Sequence, residues 1–349
     1  MRVWLFLAAL LVGAGCSNGG GGDTGGTGGE AGHGGQPGTG GTGGTGGTGG
    51  SGGGNWVRPE PIVFDEPDTG WAAVAPDAID ALLPGEARPA SCGEEHGYVS
   101  SVRGWVVAPG GEPLGNALAQ LCIHPVGGSF TCLRPAFTNG EGVYTVDVPE
   151  SVRCYEQAAL KVFLPDSQRA PSYCLMEDHD DSAVRLPAPA VLPGASSALV
   201  LPPPGDVNAP RTVVFDDGLE FEVTPALFYS GLGGYDVLGG RRVSPDAKGL
   251  CGEASTFDGL YAFYPEGTIQ APGFDMRIPN ATGLAPGRRV DLFVLGGLDC
   301  QLLDSPERTP VPEATWMKFG EGRVSEDGAT IVGEAPLPCF TWLSYRAKD

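Results

Sequence analysis

Short runs in which apolar and polar residues alternate, separated by turn residues, recur along the chain from residue 98 onward. In 102–107 and 143–148 the alternation is that of strands with one buried face. Asn139-Gly140 and Gly142 precede the second of these runs and permit the positive φ angles of a tight turn. Long helical periodicity is absent. The sequence therefore predicts a mainly β protein.

A second set of strand candidates follows a proline-rich joint at 201–205. The candidates are 211–215, 219–223, 260–264, 274–278, 289–295, 315–319, 329–332 and 339–345. Short strands at this spacing predict a second β-sandwich over 206–349. The segment 55–97 is predicted to be irregular, with one short helix over 77–83 that Pro84-Gly85 ends.

The N-terminal residues carry a different pattern. Arg2 is followed by an apolar run over 3–12 and by small residues before Cys16, and this stretch resembles a bacterial lipoprotein signal. The run is far shorter than the ~20 residues of a membrane-spanning helix. The resemblance implies that 1–15 is a signal peptide and that Cys16 carries the lipid. Ordinary secretion with cleavage near Ala14 is the alternative.

The resemblance also implies a location. In such lipoproteins an Asp after the lipidated Cys favours retention in the inner membrane, whereas this chain has Ser17. We therefore expect a lipid anchor in the outer membrane, with the protein facing the periplasm or the cell surface. Residues 16–54 are rich in glycine, and their few apolar side chains cannot offset the entropy lost on ordering. They are predicted to form a disordered linker.

The chain has 42 acidic and 21 basic residues and a formal net charge of −21. Nucleic-acid binding is not expected, because contacts with phosphates require a basic surface. The expected partners are the membrane, reached through the lipid anchor, and an unidentified protein or glycan. An acidic surface is consistent with a soluble extracytoplasmic protein.

Nine cysteines occur, of which eight follow the linker. An even number in an exported protein predicts disulfides rather than metal ligands, and none of these cysteines forms a Cys-x-x-Cys pair. Cys122 and Cys132 flank a predicted turn, and Cys154 and Cys174 flank an apolar strand, so each of these two pairs is favoured by spacing. Spacing does not decide how Cys92, Cys251, Cys300 and Cys339 pair. The expected pairs are Cys122–Cys132, Cys154–Cys174, Cys92–Cys251 and Cys300–Cys339.

An ordered set of motifs lies within 98–165. Gly-x-Val occurs at 104–106, Gly-x-Pro-Leu-x-x-Ala at 111–117, and Thr-x-x-x-Gly-x-Tyr-x-Val at 138–146 before Pro149. The set resembles the carboxypeptidase regulatory-like domain, a transthyretin-like β-sandwich, which is predicted to occupy 98–200. Two cysteines and a longer insertion depart from the pattern of that family. The resemblance implies a rigid module without catalytic residues.

Two groups of residues are candidate binding sites. Asp178, Asp180 and Asp181 could ligate a divalent cation, but they lack the spacing of a calcium loop and an exposed acidic loop is the favoured interpretation. Trp316 and Trp342 could stack against sugar rings, although such aromatic residues more often fill a core.

No zinc-protease, serine-nucleophile or phosphate-loop motif occurs, so we expect a non-enzymatic protein without a cofactor. The expected function is that of a surface lipoprotein that binds a partner or contributes to the envelope. A carbohydrate-binding module is the alternative. A metal-dependent hydrolase whose site the motifs do not reveal is the third hypothesis.

Overall fold

Strands dominate the computed structural model, which describes residues 56–81, 83–176, 182–247, 256–297, 299–303 and 308–348. The strands of the first half are β1 (Gly97–Tyr98), β2 (Ser101–Val107), β3 (Leu118–Pro125), β4 (Thr131–Cys132), β5 (Ala136–Phe137), β6 (Val143–Asp147), β7 (Cys154–Phe163), β8 (Ser172–Leu175), β9 (Ala183–Arg185), β10 (Ala190–Val191) and β11 (Ser196–Ser197). Those of the second half are β12 (Arg211–Val214), β13 (Glu220–Val223), β14 (Phe228–Tyr229), β15 (Gly239–Val243), β16 (Gly259–Ile269), β17 (Asp275–Pro279), β18 (Arg289–Leu295), β19 (Trp316–Val324), β20 (Thr330–Gly333) and β21 (Cys339–Ala347).

The helical content of the described residues consists of single 3₁₀ turns. They are Asp77–Asp80, Glu150–Val152, Pro225–Leu227 and Tyr235–Val237. The short helix expected over 77–83 is the first of these turns, and its Ile79 is buried. Among the described residues, no helix has the length and apolar character needed to cross a bilayer. The prediction of a mainly β protein is confirmed.

The first half forms a sandwich of two sheets. One sheet has the order β1-β7-β3-β4, with β5 and β8 also paired to it, and the other has the order β10-β2-β6 with β9 beside β2. The runs predicted at 102–107 and 143–148 are β2 and β6, which pair antiparallel. Alternate residues of both sheets meet in one apolar core, for example Val102, Leu121, Tyr144 and Leu160.

The ten strands of the second half form one eleven-stranded sheet together with β11, in the order β11-β15-β16-β21-β18-β19-β20-β17-β13-β12 with β14 beside β16. Phe221 on β13 lies 5.8 Å from Phe340 on β21, measured between ring centroids, although several strands separate them within the sheet. The sheet must therefore curve until β13 faces β21. This arrangement has the two-layer character of the predicted sandwich.

The two halves share an apolar core. Trp105 on β2 and Tyr173 on β8 contact the same cluster as Leu260 on β16 and Trp342 on β21. The Trp342 indole Nε1 donates a hydrogen bond to the carbonyl of Pro171 at 2.7 Å. Residues 55–349 accordingly form one compact unit.

Glu66 ties the extended segment before β1 to both halves. Its carboxylate accepts hydrogen bonds from Arg169 at 2.7 Å, from Arg241 at 2.9 Å and from the backbone N–H of Gly194 at 2.8 Å. All three side chains are largely buried, so the segment is part of the folded unit although it has almost no regular structure.

Three disulfides join described cysteines, and one of them differs from the expected pairing. Cys122–Cys132 and Cys300–Cys339 are present as expected, but Cys92 pairs with Cys154. The predictions of Cys154–Cys174 and Cys92–Cys251 were therefore wrong.

Strand pairing gives the physical reason. Tyr98 lies opposite Cys154 across β1 and β7, which places Cys154 near the segment that carries Cys92. Cys174 lies opposite Leu160, about 20 Å farther along β7 at ~3.3 Å per residue. Cys174 is also disulfide-bonded, and Cys251 lies outside the described residues. Several disulfides are typical of a protein that folds in an oxidising compartment.

Candidate ligand-binding cavity

A cavity of about 450 Å³ lies beside the outer face of the first sandwich. On β3 and β7, alternate residues point into the sandwich core and the others point away from it. Cys122 and His124 on β3 lie opposite Ala159 and Gln157 on β7, and these four outward-pointing residues line the cavity. The outward-pointing side chains of β3 and β7 therefore form one wall of the cavity.

The segment between β18 and β19 forms the opposite wall. It is held by the disulfide between Cys300 and Cys339 of β21, and Val311 packs with both cysteines in a small apolar cluster. Gln301 and Pro310 bridge the two arms of the segment. The described residues that line the cavity are Cys122, His124, Phe130, Gln157, Ala159, Gly297, Asp299, Cys300, Gln301, Pro310, Val311, Pro312 and Glu313.

A buried ion pair joins the two halves of the molecule next to this cavity. The Lys161 ammonium on β7 contacts the carboxylate of Glu266 on β16, and both side chains are at most 8% exposed. Glu266 lies in a bulge, because β16 pairs with β21 through Ala262 and then through Gly267. A bulge re-aims the side chains of its extra residues. Here it places Glu266 against a strand of the other half.

Glu313 is the unusual residue of the cavity. It is 7% exposed, and neither of its carboxylate oxygens has a hydrogen-bond partner. Burial, together with the negative charges of Glu266 and Asp299, raises the pKa of Glu313 to about 7 against the attraction of Lys161. A buried carboxylate without a partner is costly, because it has lost its hydration without compensation.

Tyr173 and Gly297 complete the surroundings of the ion pair. Burial and the neighbouring Glu266 raise the pKa of the Tyr173 hydroxyl well above its usual value, so this hydroxyl remains protonated. A Cβ atom at Gly297 would collide with the Glu266 carboxylate and come within 2.9 Å of the Tyr173 hydroxyl. Position 297 of the cavity wall therefore requires glycine, because any larger residue would displace the carboxylate of Glu266.

One group among the described residues has metal-compatible spacing. The sulfur atoms of Cys122 and Cys132 and a carboxylate oxygen of Glu313 all lie within 4.8 Å of one another. The two sulfur atoms form a disulfide, so they are not thiolates and do not offer the soft ligands that a transition metal prefers. Glu313 is therefore a buried carboxylate in the cavity wall and not part of a metal site.

The residues singled out in the sequence lie elsewhere. Trp342 is buried in the core between the halves, and Trp316 is partly buried with its ring 4.9 Å from that of Phe257. This placement does not give the two rings a shared exposed face for a sugar. The acidic run 177–181, with Asp178, Asp180 and Asp181, lies outside the described residues, as does Cys16.

The residues that converge here were not selected from the sequence. Lys161 had a visible signal, since it is a charged residue within the apolar run 158–164, and Glu266 similarly lies within a mostly apolar strand. A buried charge in such a strand requires a partner. Glu313 had no comparable signal, because it lies in a segment rich in proline without strand periodicity.

No protein-family model matches the sequence, and no curated protein matches it. Among solved structures, the chain is similar to BcpA, the major pilin subunit of Bacillus cereus. That similarity covers 70% of this chain and 95% of the pilin chain, at 8% identity and a TM-score of 0.18. A TM-score of 0.18 does not indicate a shared overall fold.

Proposed function

We propose that this protein is a lipid-anchored protein of the bacterial envelope whose β-rich unit is a non-enzymatic binding module. The observation that carries the proposal is the 450 Å³ cavity, whose walls are disulfide-bonded and mostly apolar and hold one unpartnered buried carboxylate. Small-molecule sites usually have this size and composition, with a few polar groups that fix the orientation of the ligand.

A hydrolase was the third sequence hypothesis, and it requires histidine and carboxylates in one pocket. His124, Asp299 and Glu313 do line the same cavity. Their ligand atoms do not form a metal-compatible group in the described part of the chain, and the His124 Nδ1 lies 2.8 Å from a carboxylate oxygen of Glu156 outside the cavity lining. Binding is the function that these positions favour. The alternative of a carbohydrate site has no comparable cluster in its support.

The lipid anchor can be tested directly. In cells given labelled palmitate, we expect the wild-type protein to incorporate the label and a Cys16→Ser variant to lose nearly all of it. The reason is that acylation requires the sulfur of the processed N-terminal cysteine. A Ser17→Ala variant is the matched control and should label like wild type. A wild-type protein that remains unlabelled would contradict the anchor.

The binding cavity can be tested with three probes that share one aromatic body. They are phenethylamine, 2-phenylethanol and phenylacetate, which are cationic, neutral and anionic at pH 8. We expect at least one to bind saturably in ligand-detected NMR, and a Gln157→Trp variant to lose that binding because the new ring fills the cavity. Gln157 is only partly buried, so the variant should fold.

The matched control is Tyr229→Trp, at an exposed position on β14. It should bind as wild type does. Absence of binding for all three probes, or binding that survives in Gln157→Trp, would contradict the proposed function.

A further inference from the structure

We propose that the cavity binds a primary amine with an apolar body, and that the carboxylate of Glu313 is the anionic partner of the ammonium group. This inference rests on the proposed binding function and specifies the chemical class of the ligand. Its first support is the state of Glu313, a largely buried side chain in the cavity wall with both oxygens unpartnered. A ligand that donates hydrogen bonds would remove that cost.

The charges around the cavity favour a cation. Asp299 and Glu313 both line it, and no lysine or arginine occurs among the described lining residues. The nearby ammonium of Lys161 is already paired with Glu266 in a buried contact. An anionic ligand would meet two carboxylates without a free cation, whereas an ammonium group supplies three donors to unfilled acceptors.

The remaining walls suit an apolar body. Ala159, Val311 and Phe130 line the cavity, together with two prolines. The cavity volume of about 450 Å³ is in the range of known small-molecule sites. The combination of one charged end and apolar walls therefore fits an amine that carries an aromatic or branched aliphatic group better than a fully polar ligand such as a sugar.

The pH dependence of binding follows from the same site. Burial raises the pKa of Glu313 to about 7, and the groups facing it are Lys161 on β7, Glu266 on β16, Asp299 in its own segment and His124 across the cavity. At pH 8 Glu313 is ionised and a primary amine is protonated. At pH 5.5 Glu313 is protonated, so the affinity for the amine should fall by about tenfold or more.

The deciding experiment compares phenethylamine and 2-phenylethanol on the full folded unit at pH 8 and pH 5.5. We expect the wild-type protein at pH 8 to bind the amine about tenfold more tightly than the alcohol. The Glu313→Gln variant should lose this preference and its pH dependence, while its affinity for the alcohol changes little. The exposed Glu326→Gln variant removes the same charge elsewhere and should behave as wild type.

Three results would overturn the inference. They are equal affinities for amine and alcohol in the wild-type protein, tighter binding of phenylacetate than of the amine, and an amine preference that survives in Glu313→Gln. Each still leaves a cavity that binds a probe, so the binding function would stand while the amine assignment fails. A denaturation curve for Glu313→Gln shows whether that variant is folded before its affinities are compared.

Discussion

Replacing Lys161 by methionine is expected to reduce the free energy of unfolding by about 3–5 kcal/mol. The cause is that Lys161 and Glu266 are a buried ion pair between the two halves of the molecule. Removing the cation leaves a buried negative charge without its partner, next to a second acid at Glu313. Urea denaturation of the two proteins, followed by tryptophan fluorescence at pH 8, measures the difference.

Two further variants make this result specific. Lys318→Met removes the same side chain from a surface ion-pair network, where Lys318 is 41% exposed, and should cost at most about 1 kcal/mol. The double variant Lys161→Met with Glu266→Gln should recover a large part of the loss, because neither position of the former ion pair then carries a buried charge. If Lys161→Met costs no more than Lys318→Met, the ion pair does not have the structural role assigned to it.

The stability of the protein is expected to fall as the pH rises from about 4.5 to 7, through an effect that Glu313→Gln removes. The pKa of Glu313 is raised from 4.5 to about 7, so the folded protein retains a proton that the unfolded chain has already lost. The stabilising effect of this proton is complete below pH 4.5 and is lost as the pH passes 7. The change amounts to about 3 kcal/mol.

The free energies of unfolding of wild type and Glu313→Gln, measured at pH 4.5, 6 and 8, separate the contribution of Glu313 from the contributions of the other acidic residues. The variant should be less sensitive to pH and more stable than wild type at pH 8, because it carries no buried charge there. Glu326→Gln, at an exposed turn, should keep the wild-type profile. Parallel profiles for wild type and Glu313→Gln would show that Glu313 titrates at an ordinary pKa.

Local pattern was sufficient to predict most strands. The run at 289–295 coincides with β18, and the strand expected at 102–107 differs from β2 by one residue. The glycine-containing β15 was missed, because Gly239 and Gly240 interrupt the apolar alternation. The error over Cys92 and Cys154 has a different cause, since it depended on the pairing of β1 with β7 across more than fifty residues of sequence.

The cavity could not have been assembled from the sequence for the same reason. Lys161 and Glu266 are 105 residues apart, and their contact depends on the bulge in β16 and on the packing of the two halves. The sequence pattern showed that Lys161 and Glu266 are each a charged residue within an apolar strand, but it did not show that they contact each other. Glu313 lies in the segment between β18 and β19, which Cys300–Cys339 attaches to β21 and which has no strand periodicity in its sequence.

The ionisation of Glu313 is the most direct test of this account, because the cavity chemistry depends on one buried carboxylate without a partner. Carboxyl ¹³C NMR of the glutamate-labelled protein, compared with Glu313→Gln to assign the resonance, measures it. We expect one glutamate carboxyl to titrate near pH 7 in the unliganded protein, and its pKa to fall when phenethylamine is added. A Glu313 resonance that titrates below pH 5 would contradict the account.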